Sequence, residues 1–304
     1  MAGLSVALND GSHMPWLAFG SGTSLRDKDA SKQISNAIKA GFVHIDCAQM
    51  YANEESVGNG IAQSGVPRSS LYLTTKLDKL AAGQTVRDAL IASLARLKTD
   101  YVDLFLIHVP IVHEDIQATW TQMERCRLEG LTRSIGVSNF QTKHLEEILR
   151  VAVIPPAVNQ IEFHPYVFKA NKPLVKYMMD HNVVAASFGG LTPIARVKGG
   201  PLDSVLGRIA KRLSENRTAT VTEGQVLQIW LRKKGIPCIT TTSNANRMLE
   251  YLDVGRVPDI TEEEEQEIDD VGSTVHHRFV TGPIGELKFY MANDRLSNAL
   301  DTEL

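Results

Sequence analysis

The stretch GFVHIDCAQMYANEE, residues 41–55, decides how this chain is read. It opens on an apolar strand pattern, Phe42-Val43-His44-Ile45, ends that strand in Asp46, and places Tyr51 five residues later in a polar loop. A carboxylate at the end of a buried strand is costly unless something pairs with it. Two later strand patterns offer partners: residues 71–76 end in Lys76, and residues 101–108 end in His108. If the three strands are parallel neighbours, Asp46, Tyr51, Lys76 and His108 converge on one face. The set suits proton delivery by a phenol. Tyr ordinarily titrates near pH ~10; a lysine cation beside it lowers that value, and Asp46 keeps the lysine charged and in place. His108 would orient a substrate oxygen or relay a proton. Each residue alone is an ordinary polar strand end. Three of them at successive strand ends, with Tyr51 in the loop beside the first, argue for chemistry.

Outward from this stretch, strand and helix patterns alternate. Residues 5–15 read as a β-hairpin around Asn9-Asp10-Gly11, a strong turn signal, and would plug the bottom of a barrel. Strands are expected at 16–19, 43–46, 71–76, 101–108, 134–138, 158–162, 183–187 and 236–240. Helices are expected at 29–40, 54–63, 85–97, 116–128, 142–151, 172–181, 223–234 and 246–252. Val86, Ala89, Leu90, Ser93, Leu94 and Leu97 show the helical spacing most clearly. Thr222 and Gln225 form a capping box. Eight βα pairs without a linker predict an α/β fold, a single (β/α)8 TIM barrel over residues 1–304. The long connection at 188–220 should carry its own helix near 204–213. The acidic run after Thr261 should open an exposed, solvated helix. Residues 273–304 have no strong period and read as a tail.

The bulk properties exclude several classes. A net charge of −3 makes no case for nucleic acid or an anionic membrane. No apolar run approaches the ~20 residues of a membrane span. The N-terminus lacks a basic flank and apolar core, so it does not read as a signal peptide. Three cysteines without a CxxC point to reduced thiols in the cytoplasm and give no metal site.

A complete GxGxxG is missing, since Gly20-Ser21-Gly22-Thr23 supplies only two glycines of that spacing. A barrel can instead hold phosphate at the start of a helix after a late strand. TTTSNANR, residues 240–247, sits there with hydroxyls, an open helix start and an arginine suited to bidentate phosphate contact. Taken alone, it reads more readily as an N-cap with a surface arginine.

HIDCAQMYANEE resembles the aldo-keto reductase signature H-I-D-x-A-x-x-Y-x-N-E. Thr75-Lys76, Ile107-His108-Val109-Pro110 and RSIGVSNF at 133–140 resemble further motifs of that family, and the likeness runs from about residue 6 to about residue 251. The resemblance implies a carbonyl reductase using NADPH and a small-molecule carbonyl substrate, monomeric, with Tyr51, Lys76, Asp46 and His108 catalytic. It implies that Ser138, Asn139 and Gln160 hold the nicotinamide carboxamide, that Gly22 and Thr23 touch its ribose, and that Ser187 lies near the pyrophosphate, beneath the long connection. Thr241, Thr242, Ser243, Asn244, Arg247 and Glu250 match the site of the adenosine 2′-phosphate. The tail would fold over the barrel mouth.

The sequence departs from the family at Thr241, where a lysine is common, at Tyr251, which replaces a frequent asparagine, and at Ala186, where most members carry a tyrosine that stacks on the nicotinamide. Phe188 is the nearest substitute. TTTSNANR and GGPLDSVLGRIAK most resemble the conjugated polyketone and α-keto amide reductases of fungi, which implies activated vicinal dicarbonyls as substrates. An alternative within the same resemblance is an NADPH-binding regulatory subunit of the channel β-subunit type.

Overall fold

A computed structural model of the chain describes residues 4–215 and 217–279. Strands β1 (Ser5–Ala7) and β2 (His13–Pro15) form the expected antiparallel hairpin. The barrel strands follow: β3 (Leu17–Gly20), β4 (His44–Asp46), β5 (Tyr72–Leu77), β6 (Val102–Ile107), β7 (Thr132–Ser138), β8 (Val158–Glu162), β9 (Val184–Phe188) and β10 (Cys238–Thr240). All eight are parallel and in chain order, and β10 closes the ring by pairing with both β9 and β3. The expected (β/α)8 barrel is therefore present.

Two apolar layers hold it. The larger lies between the strands and the surrounding helices, and includes Phe19, Ile45, Phe105, Trp120, Phe163 and Trp230. The smaller fills the lower barrel: Leu104, Leu106, Ala157, Val158 and Ala186, closed from below by Leu8 and Met14 of the hairpin. Full burial of an aliphatic side chain is worth about 1.5–3 kcal/mol, so the hairpin is a structural lid. Asn9 Nδ2 donates to Pro156 O at 3.0 Å, and the hydroxyls of Ser12 and Ser134 meet at 3.0 Å, which fixes the hairpin to the N-terminal ends of the strands. The opposite end of the barrel is left for the polar strand ends.

The helices stop where local chemistry predicts. Gly41 ends Ser31–Ala40 at φ +122°, a conformation that glycine adopts without a Cβ penalty. Thr85 and Asp88 cap Val86–Leu97 reciprocally, as Thr222 and Gln225 cap Glu223–Lys233.

Two expectations need correction, and the helix expected in the long connection is present with slightly longer bounds. The helix expected at 172–181 spans Pro165–Asp180, because Pro165, Tyr166, Val167, Asn171, Leu174 and Met178 form one buried face. That burial outweighs the cost of Pro173 inside the helix, about 3 kcal/mol. The helix of the long connection spans Leu202–Ser214, two residues further at the start and one at the end. The acidic helix Glu262–Gly272 is not merely solvated: Glu264 is buried and receives both Arg212 Nε (2.5 Å) and Nη2 (2.6 Å), and Ile268 is in the core.

Beyond that helix the chain turns back to the mouth. His277 N donates to Tyr166 O (3.3 Å), Arg278 Nη2 to Asn171 Oδ1 (2.9 Å), and Phe279 N to Glu162 Oε1 (2.5 Å). The tail is thus rooted at the C-terminal end of β8; its expected continuation, 280–304, lies outside the described residues. Among the described residues, no helix is long and apolar enough to cross a membrane, and no group of three or more His, Cys, Asp or Glu is placed to hold a metal ion.

Candidate active site

Neighbouring strands β4, β5 and β6 bring Asp46, Lys76 and His108 to one end of the barrel. A single 3₁₀ turn after β4, Gln49–Tyr51, sets Tyr51 beside them. The Lys76 ammonium pairs with Asp46 Oδ1, donates to Cys47 O at 3.0 Å, and lies 3.5 Å from Tyr51 Oη. The His108 ring meets the Tyr51 ring edge to face at 5.6 Å. Asp46, Lys76 and His108 are buried; Tyr51 keeps partial contact with solvent.

The electrostatics differ from the simplest expectation for Tyr51. Burial, then the Asp46 carboxylate, hold its phenol well above the ordinary value, with Arg26 pulling the other way. Tyr51 is therefore firmly protonated, as a proton donor must be. Burial, reinforced by the Lys76 and Arg26 cations, keeps His108 well below the ordinary histidine value. A neutral imidazole beside a protonated phenol can orient an oxygen without adding charge.

Behind these four stand residues of the next strands. Gln160 Nε2 donates to Asp46 Oδ2 at 2.8 Å, so Lys76 and Gln160 grip the carboxylate from two sides. Gln160, expected at the carboxamide, thus also serves Asp46, and its Oε1 remains an acceptor for such a group. Ser138 Oγ donates to Gln160 O (2.8 Å). Asn139 adopts φ +62° and donates from Nδ2 to His108 O (3.0 Å) and Ser138 Oγ (3.1 Å). Asparagine tolerates this left-handed region better than most residues. The three are thus brought together beside His108.

On the opposite side, Gly22 lies flat against Tyr51. A Cβ at Gly22 would fall 2.9 Å from Tyr51 Cζ, so a side chain there would displace the ring. Thr23 follows at φ +55°. Asn53, unremarked in the sequence reading, holds this loop: its Nδ2 donates to Ser21 O and Leu25 O, both at 2.8 Å. Asp27 N donates to Tyr51 O at 3.0 Å.

Ser187, expected near the pyrophosphate, sits at the C-terminal end of β9. Its hydroxyl donates to Phe163 O at 2.6 Å, and its neighbours on β9, Ala186 and Phe188, occupy the other face of the strand. Ala186 is packed among the lower barrel residues. Phe188, two residues on and on the same face, is partly exposed at the mouth.

The stretch after β10 starts the helix Ala245–Asp253. Asn244 caps it, its Oδ1 accepting from Asn246 N (2.9 Å) and Arg247 N (3.3 Å), and Thr242 Oγ1 accepts from Asn244 N (3.1 Å). Ser243 is exposed and Arg247 half-exposed on the first turn. Thr241 Oγ1 is buried with no hydrogen-bond partner among the described residues. An orphaned hydroxyl, a capped helix start and an arginine fit an anionic cofactor group here. Glu250 fits less simply, because its Oε1 already accepts from Thr222 Oγ1 at 2.7 Å.

Residues 16–272 match the model of the Aldo/keto reductase family. The chain is 37% identical over 281 residues to the NAD/NADP-dependent indole-3-acetaldehyde reductase of Schizosaccharomyces pombe, covering 88% of this chain and 95% of that one. It is 36% identical to the glyoxal reductase of Bacillus subtilis over 82% of this chain and 86% of the relative. It is 30% identical to the NADPH-dependent alpha-keto amide reductase of Saccharomyces cerevisiae, covering 87% and 89% of the two. Among solved structures, an aldo/keto reductase from Brucella melitensis superposes with a TM-score of 0.78 at 32% identity, over 88% of this chain and 99% of that one. With a closed parallel barrel, the motif residues gathered at its mouth and a family match across most of its length, the chain belongs to the aldo/keto reductase family and is an NAD(P)-dependent oxidoreductase.

Proposed function

We propose that this protein reduces activated vicinal dicarbonyl compounds, such as conjugated polyketones, keto lactones and α-keto amides, to alcohols with NADPH. The observation that carries the reading is the chain Asp46–Lys76–Tyr51, with His108 packed on the same phenol. Two relatives are named for acting on glyoxal and on α-keto amides, molecules with an acyl carbon next to a second carbonyl-type centre. The reductase names favour turnover over a regulatory subunit.

When bound, the reduced nicotinamide supplies the hydride. Tyr51 gives its proton to the oxygen that becomes the alcohol. Lys76, held by Asp46, stabilises the phenolate left behind. His108, neutral, orients the carbonyl oxygen. Ser138, Asn139 and the free oxygen of Gln160 hold the carboxamide, Gly22 and Thr23 admit the ribose, and Thr241, Thr242, Ser243, Asn244 and Arg247 receive the 2′-phosphate. Ser187 and Glu250 support these loops through the bonds they already make. Three buried, unpaired thiols agree with a reducing compartment such as the cytoplasm.

The test is a turnover assay with cyclic diketones, α-keto amides and simple aldehydes, following reduced nicotinamide absorbance with NADPH and NADH. Fastest turnover of the dicarbonyls, abolished in Tyr51→Phe with NADPH binding retained, is the expected result. A wild-type protein that binds NADPH and reduces no carbonyl would sink it.

A further inference from the structure

The turn that carries Tyr51 is tied at both flanks to one buried hydroxyl on a neighbouring helix. Gln49, at the start of the turn, donates from Nε2 to Ser93 Oγ at 2.9 Å and to Ala89 O at 3.1 Å. Glu54, three residues after Tyr51, accepts from Ser93 Oγ on its Oε2 at 3.1 Å. Arg96 Nη2 also donates to Ser93 Oγ, at 3.2 Å. A serine hydroxyl has one proton and two lone pairs. Here the proton goes to Glu54 and the lone pairs receive Gln49 and Arg96, so Ser93 is saturated and fully buried.

The same two flanking residues also grip the strand of Lys76. Glu54 Oε1 accepts from Thr75 Oγ1 at 2.6 Å, immediately before the lysine. Gln49 Oε1 accepts from Asp78 N at 2.9 Å, two residues after it. Arg96 completes the carboxylate with Nε (2.8 Å) and Nη2 (2.7 Å) on Glu54 Oε2. The Tyr51 turn and the Lys76 strand are thus joined by two side-chain bridges, and both bridges close on Ser93.

We propose that Ser93 is a positioning residue for the reaction: through Gln49 and Glu54 it fixes the separation of the Tyr51 hydroxyl from the Lys76 ammonium. Ser93 touches neither substrate nor cofactor; it acts by holding others. The proposal rests on the reading of Tyr51 as the proton donor. Small displacements of a proton donor are costly, up to about 100-fold in rate for about 1 Å, and no other hydroxyl of the helix Val86–Leu97 is placed to bind both flanks.

The test compares Ser93→Ala, Ser93→Thr and Tyr51→Phe in the full-length protein. Alanine keeps the helix and leaves Glu54 its bonds to Arg96 and Thr75, so folding should survive; a thermal melt and NADPH fluorescence titration verify this. Ser93→Ala should lower kcat about 10-fold, with the carbonyl KM and the NADPH Kd within about twofold of wild type. Its alkaline limb of kcat should move to higher pH, because a phenol farther from the ammonium holds its proton longer. Ser93→Thr, which restores the hydroxyl, should recover the wild-type pH limb. A uniform fall at every pH, or an unchanged kcat in a folded Ser93→Ala protein, overturns the proposal. Wild-type turnover in Tyr51→Phe would instead overturn the donor assignment beneath it.

Discussion

The Lys76 ammonium lies 3.5 Å from the Tyr51 hydroxyl, while its closer bonds go to the Asp46 carboxylate and the Cys47 carbonyl. Lys76 is therefore anchored before any substrate arrives, and its charge waits beside the phenol. The ion pair is fully buried, and replacing one partner strands the other, typically at 3–5 kcal/mol.

This geometry makes Lys76→Met a two-part experiment. Turnover should fall by about 100-fold or more, the scale of general acid catalysis. The protein should also lose about 3–5 kcal/mol of stability, because Asp46 keeps only Gln160. Adding Asp46→Asn to Lys76→Met should restore most of the stability and none of the turnover. Denaturant titration and steady-state kinetics on the two variants check both parts. Equal stability of Lys76→Met and wild type would mean that the buried pair contributes nothing net to folding.

His44 gives a pH prediction away from the reacting groups. It sits at the start of β4 with Nδ1 3.2 Å from Pro15 O and Nε2 2.9 Å from Thr74 Oγ1. A carbonyl only accepts, so Nδ1 carries the proton and Nε2 accepts from the threonine. Burial pushes its pKa down to about 4 from 6.5. Above pH ~6.5 both folded and unfolded histidine are neutral and the full stability is present. As pH falls toward 4, the unfolded chain takes up a proton that the native site refuses, and stability is lost, by roughly 2–3 kcal/mol. Buried His108 acts in the same direction. Denaturant titrations at pH 7 and pH 4.5 should show the loss, and His44→Gln should flatten it. An identical slope in the variant would remove His44 as its source.

Much of this molecule was legible from local chemistry. The helix Ile116–Leu128 and the strand Val158–Glu162 fall where their patterns place them. Asp46, Lys76 and His108 announce themselves as polar ends of apolar strands. The pairings around them do not. Gln160 and Asp46 are 114 positions apart, and Ser93 and Glu54 are 39 apart. No periodicity links such residues; only barrel closure brings them together. The helix Pro165–Asp180 was misplaced for a related reason, since its buried face depends on packing that a proline-interrupted sequence hides. The acidity of Tyr51 was misjudged because a strand pattern names its neighbours but not the depth of the site.

Ala186 stands where a stacking tyrosine is common in the family, yet the site around it is closed. It packs with Leu104, Leu106 and Val158 and pairs in register with Gln160. Ala186→Tyr should therefore overpack the lower barrel and cost about 1–3 kcal/mol. A differential melt with and without NADPH measures it: a lower melting temperature in both states is expected. A melting temperature equal to wild type without cofactor, with a larger shift on adding it, would mean that the mouth has room for the ring and that the alanine leaves a gap above the nicotinamide.

Cofactor choice turns on Arg247 and Thr241. The 2′-phosphate carries close to two negative charges, and NADH offers only a hydroxyl at that place. Arg247 stands half-exposed on the first helical turn after Asn244, and the Thr241 hydroxyl is buried without a partner among the described residues. One charge-assisted hydrogen bond is worth about 1.5–3 kcal/mol, enough for about 10- to 100-fold discrimination. Arg247→Ala should weaken NADPH by about that factor and leave NADH nearly unchanged. Thr241→Lys has two consequences. It adds a cation toward the phosphate, strengthening NADPH selectively, but the buried position of the Thr241 hydroxyl means that the longer side chain must extend outward to reach solvent. The gain should therefore show in NADPH affinity at low salt and shrink at high salt, as screening requires. Fluorescence titrations of both cofactors at two ionic strengths separate the cases. Equal losses for NADPH and NADH in Arg247→Ala would make Arg247 part of the helix cap alone, and the phosphate would have to be held by other residues.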